Sequence, residues 1–238
     1  MLKTVRKILT NSDCYLAGKP LAPKGIVVHS TGVDQKRISA YTRQWNQPGV
    51  RACVHGLLGL DDKGELCFTQ TLPYEMRCWG CGSGTRGSFN DSHVQFEICE
   101  TLGDGPWCRQ TYAAALELCA NLCRLYGISP EDVVCHSEAH AMGYGSNHGD
   151  VMHWWPKFGL SMDGFRAELK ERLEEQNMKR IRTIEDVPEA LRPETLALIE
   201  AGVLQGKGGS AGLDLSEDML RAIIICKRYT ERKEAEAE

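Results

Sequence analysis

The stretch Gly25-Ile26-Val27-Val28-His29-Ser30-Thr31 passes from a glycine through three β-branched residues to a histidine, then turns polar. A short apolar run of this kind reads as a buried strand. A second run, Asp132-Val133-Val134-Cys135-His136-Ser137-Glu138, repeats the pattern, and Ser146-Asn147-His148-Gly149-Asp150 follows it. Sheets built from such strands keep their chemistry on the polar loops beyond the strand ends. The fold class turns on what lies between these two runs.

Strands and helices alternate there. Gly25–His29 reads as a strand, Ile38–Gln47 as a short helix and Val54–Leu60 as a strand ended by Asp61-Asp62-Lys63-Gly64, with Leu66–Thr69 as its hairpin partner. A Gly/Ser/Asn-rich loop from Gly80 to Asn90 leads into the strand Val94–Cys99. Thr111–Tyr126 carries Leu116, Cys119, Leu122, Cys123 and Tyr126 at helical spacing, and Gly127 stops it. Asp163–Lys179 reads as a charged amphipathic helix. The order β, α, β, β, β, α, β, α predicts an α/β fold, a mixed central β-sheet flanked by helices, over residues 1–176.

Composition then shifts. The charged run Glu171–Arg182 marks a helix end and a linker at 177–183. Residues 184–230 read as a small α-helical C-terminal module: one helix to about Ala201, a glycine-rich turn over Gly202–Gly212, and a second helix from Ser216. Ser216 is placed to cap that helix, with Glu217 and Asp218 at its positive end. A module of about 45 residues rarely stands alone. It is expected to brace the main domain, bind a target, or form a homodimer with a second copy. Residues 231–238 form a charged tail.

Bulk properties exclude several classes. Of 238 residues, 42% are hydrophobic and 25% charged, as in ordinary globular proteins, and the net charge of −4 offers no basic footprint for nucleic acid. No run approaches 18 uninterrupted apolar residues, so no membrane insertion is expected. The first ten residues are basic without a continuous apolar core, which predicts cytoplasmic synthesis without a signal peptide. The eleven cysteines are scattered, and most are expected to be reduced core residues. Cys78-Trp79-Gly80-Cys81 is a lone C-x-x-C, with no second pair to complete a four-thiolate cage.

The two strand-end histidines are the candidate ligands. His29 and His136 on two strands, with a carboxylate on the loop after the second, make three ligands and one open position, the arrangement of a catalytic zinc. Asp150 is that carboxylate; His148, two positions earlier, competes with it on softness. His55 precedes further apolar chain and reads as structural, and His93, His140 and His153 as loop or packing residues. In Val94–Cys99, alternation puts Gln95, Glu97 and Cys99 on one face. A glutamate in mid-strand either faces water at an edge or is held for proton transfer beside a metal.

Together these residues resemble the type 2 zinc-dependent N-acetylmuramoyl-L-alanine amidases, which share a fold with peptidoglycan recognition proteins, and among them the phage and prophage endolysins. The carriers are Val27–Gly32, Cys78–Gly82, Asn90 through Phe96-Glu97-Ile98-Cys99-Glu100, and His136-Ser137-Glu138 through Asn147-His148-Gly149-Asp150 with His153-Trp154-Trp155-Pro156. The resemblance covers roughly residues 5–175. It implies Zn2+ held by His29, His136 and Asp150, and hydrolysis of the amide between N-acetylmuramic acid and L-alanine in peptidoglycan. Many members carry a tyrosine before the histidine matching His55; here Val54 stands there. Members without it are similar in using a strand glutamate, which implies Glu97 as the base. The position two before the third ligand is often an oxyanion-stabilising lysine; here it is His148, which stays open as a ligand. Trp79, Trp154 and Trp155 are candidates to line the substrate groove. The C-terminal module resembles the helical tails of related endolysins, which implies wall binding or dimerisation, with action on the wall after release. Two rivals stand beside this: a recognition domain that binds peptidoglycan without cutting it, and a thiol hydrolase.

Overall fold

A computed structural model describes residues 2–178, 180–205 and 213–235. The chain divides into two compact units, Met1–Lys170 and Glu171–Glu238. In the first, six strands make one sheet: β1 (Lys3–Arg6), β2 (Gly25–Ser30), β3 (Gly56–Leu60), β4 (Leu66–Gln70), β5 (His93–Ile98) and β6 (Val133–Cys135). Their order is β1-β4-β3-β5-β2-β6. The hairpin pair β3–β4 is antiparallel and every other pairing is parallel. This is the mixed sheet that the β/α alternation predicts.

All six residues of β2 are buried, as its run of β-branched residues requires of a strand with neighbours on both edges. Around the sheet lie α1 (Asp13–Ala17), α2 (Ile38–Trp45), α3 (Gly105–Tyr126), α4 (His136–Ala141) and the start of α5 (Met162–Met178). Helix α3 begins six residues before the apolar periodicity does, because Asp104 caps it and Pro106 sits in its first turn. The second run also ends differently from expectation. Strand β6 stops at Cys135, and His136 opens α4 instead of a loop. The Glu138 carboxylate accepts from the Cys135 N–H, closing a capping box at that turn.

The second unit holds β7 (Arg180–Ile181), α6 (Arg192–Glu200), β8 (Leu215–Ser216) and α7 (Glu217–Ala235). Strands β7 and β8 pair antiparallel, so the expected linker at 177–183 contains a strand. Ile181, Val187, Leu191, Leu198, Leu213, Leu215, Leu220 and Ile224 form the unit's own core. Ser216 Oγ accepts from the Met219 N–H at 3.1 Å, as a cap does. Helix α7 continues through the first half of the expected tail to Ala235. Lys179, residues 206–212 of the glycine-rich turn, and residues 236–238 lie outside the described residues.

Candidate metal centre

Strands β2 and β6 run side by side in parallel, with Val28 opposite Cys135. The next residue on each is a histidine, so the chain delivers His29 and His136 together at the carboxyl edge of the sheet, where parallel sheets bind ligands. Their Nδ1 atoms lie 3.1 Å apart. Asp150 arrives from the loop after α4, its carbonyl accepting from the Ser137 N–H at 3.2 Å. Its Oδ2 stands 2.9 Å from His29 Nδ1 and 3.5 Å from His136 Nδ1. All three side chains are buried, and each offers one ligand atom within 4.8 Å of the others.

Two imidazole nitrogens and a carboxylate oxygen are the donor set of a borderline divalent ion such as zinc. They crowd three electron-rich atoms into one buried spot, which is stable only with positive charge among them. Burial alone would raise the Asp150 carboxyl, but hydrogen bonding and charge at His136 and His29 outweigh it and hold that carboxyl well below the usual carboxylate range. The residues present therefore fit a metal ion.

His148 is exposed, and its ring stacks on that of His136 at 4.7 Å and 14°. It lies at the rim and does not join the group of potential ligands. Glu97 sits directly across the β2–β5 pair from His29. Its Oε2 is sealed from solvent and has no hydrogen-bond partner. Burial, then the charges of Asp150 and Glu100, push its carboxyl well above the ordinary value. That is a group poised to hold a proton.

The three tryptophans separate. Trp79 is half-buried and lines a cavity with Arg51, Arg77, Ser83, Ser88 and Asn90. Trp154 and Trp155 do not line a groove. Both are wholly buried, and Trp155 packs against Tyr112 and Phe165 in the core. Indole rings of this apolar area are readily drawn into a core.

The remaining histidines have local partners. His55 is buried between the Met76 carbonyl and the Gln95 N–H, at 2.8 and 2.9 Å. His93 stacks on Phe89 at 3.8 Å, and His140 Nδ1 lies 3.2 Å from the Gly145 carbonyl. His153 reaches the buried carboxylate of Glu100 at 2.9 Å. No thiol belongs to a potential metal group among the described residues. Cys81, beside the site, is buried, and burial pushes its thiol up to about 12, so it holds no thiolate for nucleophilic work at neutral pH.

Sequence reasoning missed two neighbours of the imidazoles, Gln95 and Ser146, and Asn90 behind the first of them. Gln95 lies 3.0 Å from His29 Nε2, and Ser146 3.2 Å from His136 Nε2. A signal for the first was available, since Gln95 shares the face of Glu97 inside an otherwise apolar strand.

Residues 19–150, more than half of the chain, match the family model described as N-acetylmuramoyl-L-alanine amidase. No curated protein matches the sequence. Among solved structures, PlyL aligns with a TM-score of 0.55 at 19% identity, over 71% of this chain and 96% of its own. The catalytic domain of XlyA gives 0.55 at 22%, over 71% and 99%. The Staphylococcus aureus hydrolase AmiA, in complex with its ligand, gives 0.55 at 20%, over 73% and 83%. At these identities the likeness is one of fold.

Proposed function

The chain belongs to the N-acetylmuramoyl-L-alanine amidase family and is an amidase acting on peptidoglycan, and from that premise we propose how its residues carry the reaction. His29, His136 and Asp150 hold Zn2+. When bound, the ion supplies Lewis acidity, which polarises an amide carbonyl and lowers the pKa of water from about 15.7 to about 7. The scissile bond joins the lactyl carbonyl of N-acetylmuramic acid to the nitrogen of L-alanine. Glu97 takes the proton from the attacking water as oxygen bonds to the carbonyl carbon. The same carboxyl returns that proton to the alanine nitrogen as the C–N bond breaks. The products are a lactyl carboxylate and a free amine. His148, at the rim, turns a ring N–H toward the oxyanion, where a placed donor contributes most.

Trp79, with Arg51 and Arg77 beside it, offers the sugar–peptide chain an apolar face between cations. The substrate is wall polymer, met after the enzyme leaves the cell that makes it. No helix among the described residues is long and apolar enough to cross a membrane. The second unit serves as a wall-docking element or as a homodimer contact.

One observation supports this reading above the rest: the unpartnered Glu97 Oε2 lies across one strand pair from His29, beside three converging ligands. The test is product analysis of digested murein, with and without a chelator. Free lactyl carboxylate and free alanine amine appear together, vanish with EDTA and return with zinc. Glu97→Gln keeps its zinc and loses turnover by about 10²–10⁴-fold. New reducing sugar ends, or full activity in Glu97→Gln, would sink the assignment.

A further inference from the structure

Hydrogen-bond chains lead from both imidazoles to the same short loop, the C-x-x-C stretch that joins no potential metal group among the described residues. Cys81 donates its N–H to Asn90 Oδ1 at 2.9 Å, and Asn90 Nδ2 donates to the Gly82 carbonyl at 3.1 Å. A backbone donor and a backbone acceptor thus fix which way the Asn90 amide points. Gln95, fully buried, donates from Nε2 to that same Asn90 Oδ1 at 2.9 Å. Its Oε1 is left facing His29 Nε2 at 3.0 Å. An amide oxygen only accepts, so His29 Nε2 carries a proton, and Nδ1 is the nitrogen left to ligate a metal. Flipping the Asn90 amide would set N–H against the Cys81 N–H, and flipping Gln95 would set its Oε1 against Asn90 Oδ1.

The second chain starts from the other end of the same residue. Ser146 Oγ donates to the Cys81 carbonyl at 3.3 Å, which also accepts the Ser146 N–H at 2.9 Å. Having spent its one hydrogen there, the hydroxyl accepts from His136 Nε2 at 3.2 Å. His136 is therefore held in the same tautomer. Two glycines make room for the two chains. A Cβ at Gly80 would meet Gln95 Oε1 at 2.6 Å, and one at Gly82 would meet Ser146 Oγ at 2.6 Å.

We infer that the Cys78–Gly82 loop is a positioning device, which through Gln95 and Ser146 locks His29 and His136 with both Nδ1 lone pairs aimed at the metal. Hydrogen-bonded partners behind ligating histidines tune metal sites in this way. Here the partners are neutral and take their direction from the peptide groups of Cys81 and Gly82. This inference rests on His29, His136 and Asp150 holding zinc.

The experiment measures zinc dissociation constants by competition with a chromophoric chelator, for the wild type, Gln95→Met and Ser146→Ala. The metal-free melting temperature of each is recorded beside it. Gln95→Met binds zinc about 10–100-fold more weakly and Ser146→Ala about tenfold. A lowered melting temperature with zinc affinity within twofold of wild type would mean a packing role only and overturns the inference. Should Gln95→Met fail to fold, Ser146→Ala and the wild type decide. In 15N-histidine-labelled, zinc-loaded wild type, both rings should show a protonated Nε2 and a ligated Nδ1; the opposite pattern in either ring overturns it. A wild type that binds no zinc removes the metal reading itself, and this inference with it.

Discussion

His93 and His55 show what a single buried imidazole costs the fold. Burial lowers each to about 4, against an ordinary value near 6.5. A group depressed in this way contributes its stability fully above pH 6.5, and loses it as pH falls toward 4, where the unfolded chain binds the proton first. Between pH 7 and pH 5 each histidine should remove about 2 kcal/mol from the unfolding free energy. Urea titrations at the two pH values measure the slope. His93→Phe, which keeps the stack on Phe89, should shed one histidine's share; an unchanged slope would contradict the assignment. At this scale His29, Glu97 and His136 were legible, because a titratable residue at the end or middle of an apolar run stands out. Ser146 was not, and Gln95 showed only by sharing the face of Glu97, since an amide or hydroxyl acquires its role from the partners that tertiary structure brings to it. Trp154 and Trp155 misled for a related reason: an aromatic in a loop beside a site has the same spelling whether it faces substrate or core.

Elements were readable where the apolar period was strong. Strand β2 and the body of α3 follow directly from their residues. Edges and starts were harder. Strand β1 pairs only along β4, and of its residues Lys3, Thr4, Val5 and Arg6 only Val5 is apolar, so no alternation announces it. The true start of α3 is set by one capping side chain. Asp104 Oδ1 accepts from the Trp107 N–H at 2.9 Å, while Oδ2 meets Lys36 at 2.7 Å. Asp104→Ala should cost about 1 kcal/mol, seen as a lower urea midpoint. Asp104→Asn should recover most of that, since the cap survives and an exposed ion pair is worth about 0–1 kcal/mol. Equal losses in the two variants would assign the stability to the ion pair instead.

For the whole molecule, the separate cores of the two units predict a clean division of labour. Deleting residues 183–238 should leave hydrolysis of soluble muropeptides within about twofold and reduce sedimentation with intact cell walls. Unaltered wall binding, together with a halved mass in sedimentation equilibrium, would instead assign the second unit to self-association. Within the first unit, the three proposed ligands come from far apart along the chain: His29 is 107 residues from His136 and 121 from Asp150. An ion gripped there fastens three remote segments at once, and no unfolded chain can offer the same grip. Zinc at a hundred times its dissociation constant then adds about 2.7 kcal/mol to the native state. With zinc held as proposed, metal supply would act as a thermostat for the enzyme's lifetime, and scarcity would shorten that lifetime before any substrate is met.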